Sequence, residues 1–260
     1  DFLKDPIKMV FEGEWLTADR TTLGADNGIA IAMAMTAALA DDVPHPPLEL
    51  LFTVDEETGL TGASSLETGF TEGKLLINVD SEDEGVFTVG CAGGINTNMN
   101  IPLEYAKVPA GYKQVKINAG GMKGGHSGID INAEKANAIK VVAQALHNLN
   151  DKVDVRLVAF NGGTAHNAIP RDCDCTVVAP ADKLNDFEKI ISETEAVLKS
   201  EFGSTDPDLF IKCDVCDDNV SEACSAQSTA RAIDFIIVMP HGVAAMSADI
   251  EGLVETSNNL

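Results

Sequence analysis

Three acidic clusters in the first third of the chain could together hold divalent metal ions. Asp26 lies in segment 24–28, Glu56 and Glu57 are adjacent in segment 55–57, and Asp80 lies in segment 78–81. The clusters lie where apolar runs end or a helical pattern begins, and the runs at 48–54 and 74–79 have the length and composition of buried parallel strands. Because ligand sites in open α/β sheets assemble at the carboxyl ends of strands, we expect the clusters to converge in one crevice. Carboxylates gathered in this way repel one another unless cations hold them, which indicates a metal-hydrolase site.

Each cluster alone has a simpler interpretation. Asp26 precedes a helical pattern, where a side-chain oxygen can act only as an N-terminal cap. Glu56 and Glu57 can lie in a solvated loop, and Asp80, which is followed by acidic residues at 82–84, can belong to a charged turn. The combination favours the metal site, because one of two adjacent glutamates can bind metal while its neighbour stays free as a base.

The elements that must position these residues change character at about Gly94. Residues 1–93 predict part of an α/β domain with a mixed, mostly parallel sheet, which includes the strands 48–54 and 74–79 and a buried helix at 29–40. Residues 94–260 predict a second, smaller α+β domain. Its β-α-β-β-α-β order is that of the ferredoxin-like split unit.

The second domain is predicted in detail from its apolar patterns. Strands are expected at 113–119, 153–160, 172–179 and 208–213, helices at 133–149 and 184–202, and surface connections at 206–207 and 217–225.

Composition favours a globular enzyme and argues against polyanionic partners. The chain has 260 residues, 45% of them apolar, which is enough for one large domain or two smaller ones. Its 41 acidic and 18 basic residues give a net charge of −23, which disfavours a nucleic-acid or anionic-membrane partner. No apolar stretch reaches spanning length and the N-terminus lacks a signal-sequence layout, so a cytoplasmic location is expected.

The six cysteines favour reduced thiols over a metal knuckle. Cys213 and Cys216 have the spacing of half a zinc knuckle or of a redox pair, but no second cysteine pair or nearby histidine completes four ligands. Cys173 and Cys175 alternate along a strand-like stretch, so they can face one side. A reducing compartment is the simpler interpretation.

Short motifs in order along the chain carry a resemblance to a known family. They are Thr-Leu-Gly-Ala-Asp-Asn-Gly at 22–28, Glu-Glu-Thr-Gly at 56–59, Asn-Val-Asp-Ser-Glu at 78–82, Gly-Cys-Ala-Gly-Gly at 90–94, Gly-Gly-His-Ser-Gly at 124–128, and Asn-Gly-Gly-Thr at 161–164 with Asn-Ala-Ile-Pro-Arg at 167–171. In this combination the chain resembles the aminoacyl-histidine dipeptidases of the di-zinc peptidase and aminoacylase family, which includes carnosinase. The match continues to 252–257 and so covers essentially the whole chain.

The resemblance gives each acidic residue a role. It implies that Asp26 bridges two zinc ions, that Glu57 binds one and Asp80 the other, and that Glu56 is the general base. Two such metals can share a hydroxide, lower its pKa and polarise the scissile carbonyl, while the base carries a proton to the leaving amine. The expected reaction is the zinc-dependent hydrolysis of dipeptides, including Xaa-His.

The resemblance also implies roles in the second domain, which would act as a lid and dimerisation domain of a homodimer. His126 would help to stabilise the oxyanion, often across the dimer interface, and Asn167 and Arg171 would contact the substrate. From the residues alone, a glycine-flanked histidine can simply close a turn. The segment 124–128 lacks the lysine of a phosphate-binding loop.

The resemblance further predicts that this chain is part of a longer enzyme. The family's site has two more histidine ligands, one expected upstream of residue 1 and one near the far C-terminus, and neither has a counterpart here. The second domain is likewise expected to continue beyond residue 260. Two alternatives stay open: a related di-zinc exopeptidase or aminoacylase, such as a tripeptidase or carboxypeptidase, and a non-catalytic truncated module for binding or dimerisation.

Overall fold

The computed structural model describes residues 3–81, 85–216 and 220–260. Contacts within the chain divide it into two compact units, Asp1–Cys91 and Ala92–Leu260. The acidic residues at 82–84 and the first part of the predicted connection at 217–225 lie outside the described residues.

Between residues 3 and 81 and from 85 to 91, the first unit contains one hairpin and two helices. Strands β1 (Met9–Glu12) and β2 (Trp15–Ala18) pair antiparallel, with Gly13 at φ 65° in the turn between them. Helix α1 (Ala25–Leu39) includes most of the predicted helix 29–40, and α2 (Thr61–Ser64) is a single turn.

Two details predicted for the first unit differ from the structure. The runs 48–54 and 74–79 have no partner strand among the described residues, and Leu75 is 93% exposed. Helix α1, predicted to be buried, has no buried residue, and Ile29 is 61% exposed. The physical reason is the same for both: a buried strand needs a hydrogen-bonded neighbour and an apolar helix needs a covering layer, and the described part of this unit supplies neither.

The described part of the second unit is built on a four-stranded antiparallel sheet and the two helices that connect its strands. Its elements, in chain order, are β3 (Tyr105–Lys107), β4 (Tyr112–Gly120), β5 (Gly125–His126), α3 (Ala138–Asn150), β6 (Arg156–Gly162), β7 (Ala168–Ile169), β8 (Cys173–Pro180), α4 (Leu184–Phe202), β9 (Phe210–Cys216), β10 (Glu222–Cys224), α5 (Ala226–Val238), β11 (Gly242–Met246) and β12 (Val254–Asn258). The sheet order is β6-β8-β4-β9, and each neighbouring pair is antiparallel. With α3 and α4 as the connecting helices, this is the predicted ferredoxin-like unit.

The core of the second unit includes residues of the sheet and of the helices α3 and α4. Val115, Ile117 and Ala119, which are spaced two residues apart along β4, are each at most 1% exposed, as expected of a strand with one covered face. Helices α3 and α4 are amphipathic, and Leu146 and Phe187 belong to the same apolar core as the strand residues.

Several elements of the second unit lie outside the prediction. They are the ribbon of β3 and β10, the ribbon of β5 and β7, helix α5 and the hairpin of β11 and β12. The predicted surface connection 217–225 is therefore wrong in its second half. Cys224 is only 2% exposed, because β10 pairs with β3 and this residue joins the apolar core.

Candidate functional site

The loop before the regular part of helix α1 carries Asp26 and is shaped by Asn27. Gly24 has φ 74°, and the backbone of Asp26 and of Asn27 is not helical. The side-chain oxygen of Asn27 accepts the N–H of Ala30 at 3.1 Å and so satisfies a free donor of the first turn. The peptide bond between Asp26 and Asn27 is cis. The capping oxygen thus comes from Asn27, which argues against the simpler interpretation that Asp26 serves only as the cap.

The same Asn27 side chain joins two of the three acidic clusters. Its amide nitrogen donates to the backbone oxygen of Val79 at 2.8 Å and to a carboxylate oxygen of Asp80. We call this pair of hydrogen bonds the Asn27 clasp. Because Asp26 is bonded to Asn27 in the chain, the clasp brings the Asp26 loop and the Asp80 loop together.

Glu56 and Glu57 lie in a tight turn after the run 48–54. The backbone oxygen of Glu56 accepts the N–H of Gly59 at 3.1 Å, and both glutamates are exposed. Within the described part of the chain, neither glutamate has a hydrogen bond or an ion pair with the residues of the Asn27 clasp. In this part of the chain, no hydrogen bond or ion pair therefore ties the third cluster to the other two.

The donors of the three clusters suit a divalent cation in chemistry, but they do not form a closed metal site. Carboxylate oxygens are ligands for zinc and for harder divalent ions. Among residues 3–81, 85–216 and 220–260, no group of three or more histidine, cysteine, aspartate or glutamate side chains is arranged to hold a metal. The structure thus brings two of the predicted ligand loops together, and Glu57 would have to join them from its turn.

In the second unit, a two-stranded ribbon brings His126 and Asn167 together. β5 pairs antiparallel with β7, and His126 lies opposite Ala168. The N–H of Ser127 donates to the backbone oxygen of Asn167 at 2.8 Å, which extends the pairing by one residue. Both predicted residues are exposed and lie on facing segments.

Arg171 lies beside the same ribbon. A Cβ atom at Gly124, where φ is 63°, would lie 2.9 Å from the backbone oxygen of Ile169 and 3.3 Å from the Cβ of Arg171. Glycine is therefore needed for this close approach. The Nε of Arg171 lies 3.5 Å from the Asp172 carboxylate, and both side chains are largely exposed. Such a pair contributes little to stability and leaves the guanidinium accessible to an anionic ligand.

Hydrogen bonds fix both the backbone and the tautomer of His126. Its N–H donates to Asp130 Oδ2 at 2.8 Å, and the N–H of Gly128 donates to the imidazole Nδ1 at 3.1 Å. A neutral imidazole whose Nδ1 accepts carries its proton on Nε2. The ring therefore offers an Nε2–H donor, the type of group that can stabilise an oxyanion.

Asp130 supports this arrangement electrostatically. Its second carboxylate oxygen lies 3.1 Å from the Nζ of Lys135. The hydrogen bond from the His126 backbone and then the interaction with Lys135 hold the pKa of the Asp130 carboxyl below its usual value. Asp130 thus stays ionised at neutral pH and keeps accepting the His126 N–H. Its position four residues after a glycine-flanked histidine is the only sequence signal for this role.

Asp206 is a functional-site neighbour that the sequence prediction places wrongly on the surface. It is completely buried, and its two carboxylate oxygens accept the N–H of Lys123 at 2.7 Å and the N–H of Ala136 at 2.8 Å, which compensates for its burial. An Asp-Pro pair between a helix and a strand resembles an exposed turn, and its partners lie far away in sequence. No local pattern reveals the contact.

Asn259 contacts the strand of the ribbon that follows Asn167. Its side-chain nitrogen donates to the backbone oxygens of His166 and Ala168 at 3.1 and 2.8 Å. These two residues flank Asn167, so Asn259 orders the segment that presents it.

Comparisons with known proteins agree with the motifs. The family described as peptidase dimerisation domain matches residues 117–206. Over 261 aligned residues and 100% of the chain, the sequence is 40% identical to the cytosol non-specific dipeptidase of Escherichia coli K12, of which it covers 53%. The crystal structure of aminoacylhistidine dipeptidase from Vibrio alginolyticus matches 100% of the chain with a TM-score of 0.76 and 34% identity, and the match covers 53% of that protein.

A third relative is more distant. The uncharacterized protein YqjE of Bacillus subtilis is 27% identical over 179 residues, which is 65% of this chain and 42% of that protein. The chain therefore spans about half the length of the relatives that it matches from end to end. These matches confirm the predicted resemblance and the mixed α/β, two-domain fold class. In the part of the chain that the structure describes, no helix combines the length and the apolar character needed to cross a membrane.

Proposed function

We propose a function on the premise that the chain is related over its full length to dipeptidases and carries a peptidase dimerisation domain. As part of a metal-dependent enzyme, it hydrolyses the peptide bond of dipeptides, including Xaa-His. The observation that carries the proposal is the end-to-end similarity to a dipeptidase in a chain whose Asp26 and Asp80 loops are joined by the Asn27 clasp.

In this proposal Asp26, Glu57 and Asp80 hold two divalent metal ions, with zinc as the proposed metal. When bound, such ions lower the pKa of water and polarise the scissile carbonyl. Glu56 is the general base. As the neighbour of a ligand in an exposed turn, it can accept a proton from the attacking water and deliver it to the leaving amine.

The second unit supplies the groups that recognise the substrate and stabilise developing charge. The Nε2–H of His126 donates to the carbonyl oxygen as it becomes an oxyanion. Arg171 pairs with the terminal carboxylate of the dipeptide, and Asn167, on the segment facing His126, hydrogen-bonds to the substrate.

We also propose a division of labour within the protein. Residues 1–93 form part of the catalytic domain, and residues 94–260 form a lid and dimerisation domain, so the enzyme acts as a homodimer. The match to a peptidase dimerisation domain supports this assignment. The relative from Escherichia coli is called a cytosol dipeptidase, which supports a cytoplasmic location.

Hydrolysis of a panel of dipeptides tests the function. The protein, expressed from its complete reading frame, should cleave β-alanyl-histidine, glycyl-histidine or other dipeptides with zinc, and a chelator should abolish the cleavage. Cleavage of tripeptides or acylated amino acids alone would favour a related exopeptidase or aminoacylase. A folded protein that cleaves none of these substrates would instead be a binding or dimerisation module.

Variants separate the proposed roles of the carboxylates. Glu56→Ala should abolish turnover while zinc stays bound, because the base is not a ligand, whereas Asp26→Ala should lose both zinc and activity. Glu67→Ala is the matched control, since this exposed glutamate lies outside the three clusters. Full activity of Glu56→Ala, or stoichiometric zinc in Asp26→Ala, would contradict the respective role.

A further inference from the structure

One buried side chain closes both ends of the segment that carries His126. The segment runs from residue 123, just after β4, to residue 136, just before α3. Asp206 accepts the N–H of Lys123 with Oδ1 at 2.7 Å and the N–H of Ala136 with Oδ2 at 2.8 Å. Both oxygens of a single carboxylate therefore hold the two ends of the loop together.

Asp206 is itself fixed to the core of the second unit. Its own N–H donates to the backbone oxygen of Phe202, the last residue of α4, at 2.7 Å, and its backbone oxygen accepts the N–H of Leu209 at 3.1 Å. Leu209 is completely buried, as is Asp206. The carboxylate thus attaches the His126 segment to the connection between α4 and β9.

The chemistry of the buried carboxylate suits a clamp. A buried anion is costly unless hydrogen bonds compensate it. In the part of the chain that the structure describes, the side chain of Asp206 has hydrogen bonds with the two backbone N–H groups and is in no ion pair. Charge-assisted hydrogen bonds of this kind are shorter and stronger than neutral ones, so they define the geometry of their donors closely.

Contacts inside the segment connect its C-terminal end with the backbone of His126. Ala136 follows Lys135, whose Nζ lies 3.1 Å from Asp130 Oδ1, and Asp130 Oδ2 accepts the His126 N–H at 2.8 Å. The peptide bond between residues 135 and 136, followed by these two polar contacts, therefore links the C-terminal end of the segment to the backbone of His126.

We propose that Asp206 is a positioning residue for His126. This inference rests on the proposed function, because it takes the His126 Nε2–H as the oxyanion donor. Asp206 does not touch the substrate; it sets where the segment 123–136 holds the imidazole. A displacement of about 1 Å at a catalytic group can cost about 10²-fold in rate, so a loosened segment should lower kcat.

The test is Asp206→Asn in the protein expressed from its complete reading frame. Asparagine has nearly the same shape, but it keeps one acceptor oxygen and presents an NH₂ group to the second backbone N–H, so one end of the segment is released. Asp208→Asn is the matched control, because it makes the same chemical change two residues away at an exposed side chain. Both variants are also made in a His126→Ala background.

The expected result is a fall in kcat of about 10²-fold for Asp206→Asn with KM and zinc content unchanged, and no effect of Asp208→Asn. In the His126→Ala background, Asp206→Asn should cause no further loss, because the two residues act as one unit. Amide hydrogen exchange should accelerate within 123–136 and stay unchanged in β4. A purely structural role would instead lower activity equally in both backgrounds.

The outcomes separate this inference from the proposed function. If the wild-type protein cleaves dipeptides and Asp206→Asn matches it in kcat, or if the losses from Asp206→Asn and His126→Ala simply add, the Asp206 inference is overturned and the function stands. If the wild-type protein cleaves no dipeptide, the function fails and the inference fails with it. Should Asp206→Asn not fold, hydrogen exchange of the wild-type protein decides: amides of Lys123 and Ala136 that exchange as fast as exposed loop amides overturn the clamp, and slow exchange supports it.

Discussion

Replacing Asn27 with serine tests whether the clasp between the two acidic loops prepares the metal site. A serine hydroxyl is a good N-terminal cap and can still accept the N–H of Ala30. It is too short to reach the Val79 oxygen and the Asp80 carboxylate, which the longer amide contacts in the structure. The substitution therefore removes the clasp and keeps the cap.

The magnitude follows from the two hydrogen bonds that are lost. A hydrogen bond to a charged group contributes about 1.5–3 kcal/mol and a neutral one about 1 kcal/mol. Both bonds of the Asn27 clasp are solvent-exposed, so we take about 2 kcal/mol for the pair. Without the clasp, metal binding itself must bring the loops together, and the zinc affinity should fall about 30-fold.

Competition with a chromogenic chelator measures that affinity in the protein expressed from its complete reading frame. Thr36→Ala is the control, because the Thr36 hydroxyl lies on the same helix and donates at 2.7 Å to the backbone oxygen of Ala32 within it. Circular dichroism verifies that both variants are folded. A folded Asn27→Ser protein that binds zinc as tightly as the wild type would refute the role of the clasp.

Three further predictions concern the second unit and the thiols. Gly121→Ala should cost more than about 4 kcal/mol in urea unfolding, because its Cβ would lie 2.0 Å from a backbone oxygen at φ 76°. Gly111→Ala is the control: Gly111 has φ 84°, and a Cβ atom there would have no atom within 4 Å. This variant should lose only roughly 1–2 kcal/mol of unfolding free energy, the cost of a left-handed backbone conformation in a residue with a side chain. Equal losses in the two variants would contradict the packing argument. Burial raises the pKa of the Cys173 thiol to about 12, so iodoacetamide at about pH 8 should modify exposed Cys91 and spare Cys173, as peptide mass mapping can test. Hydrogen bonding lowers the pKa of Asp130, so its contribution to the order of the loop should be complete above the ordinary carboxyl pKa of about 3.9. That contribution should be lost only as the pH falls through the lower pKa of the folded state. An NMR titration in which the His126 amide, which donates to Asp130, already shifts at about pH 5 would contradict this.

The sequence was sufficient for the elements whose patterns are local. Helix α4 has the predicted bounds, and β4 differs from the predicted strand by one residue at each end. Both are long and periodic, and their apolar faces find cover within the same unit. By contrast, the runs 48–54 and 74–79 read as buried strands, yet a run of apolar residues does not specify its partner. Their pairing depends on other segments, and a local pattern carries no information about them.

The candidate site divides in the same way. The positions of Asp26, Asp80 and His126 can be found in the sequence, because each lies in a short motif between regular elements. Asn27 and Asp206 could not be assigned their contacts in advance. Asn27 donates a hydrogen bond to a residue more than fifty positions away. Asp206 accepts hydrogen bonds from backbone N–H groups at the two ends of a long loop. For a long-range hydrogen bond to a backbone atom, the sequence shows only that one residue has a polar side chain and does not show its partner.

The order of the strands in the ferredoxin-like sheet has a consequence for synthesis on the ribosome. β4 is central, and its two neighbours, β8 and β9, are both translated after it, with α3 and α4 in between. The nascent β4 therefore emerges with both edges unpaired and with an apolar face that only later segments cover. Until β8 has left the exit tunnel, this strand is a target for chaperones and for pairing with a neighbouring nascent chain.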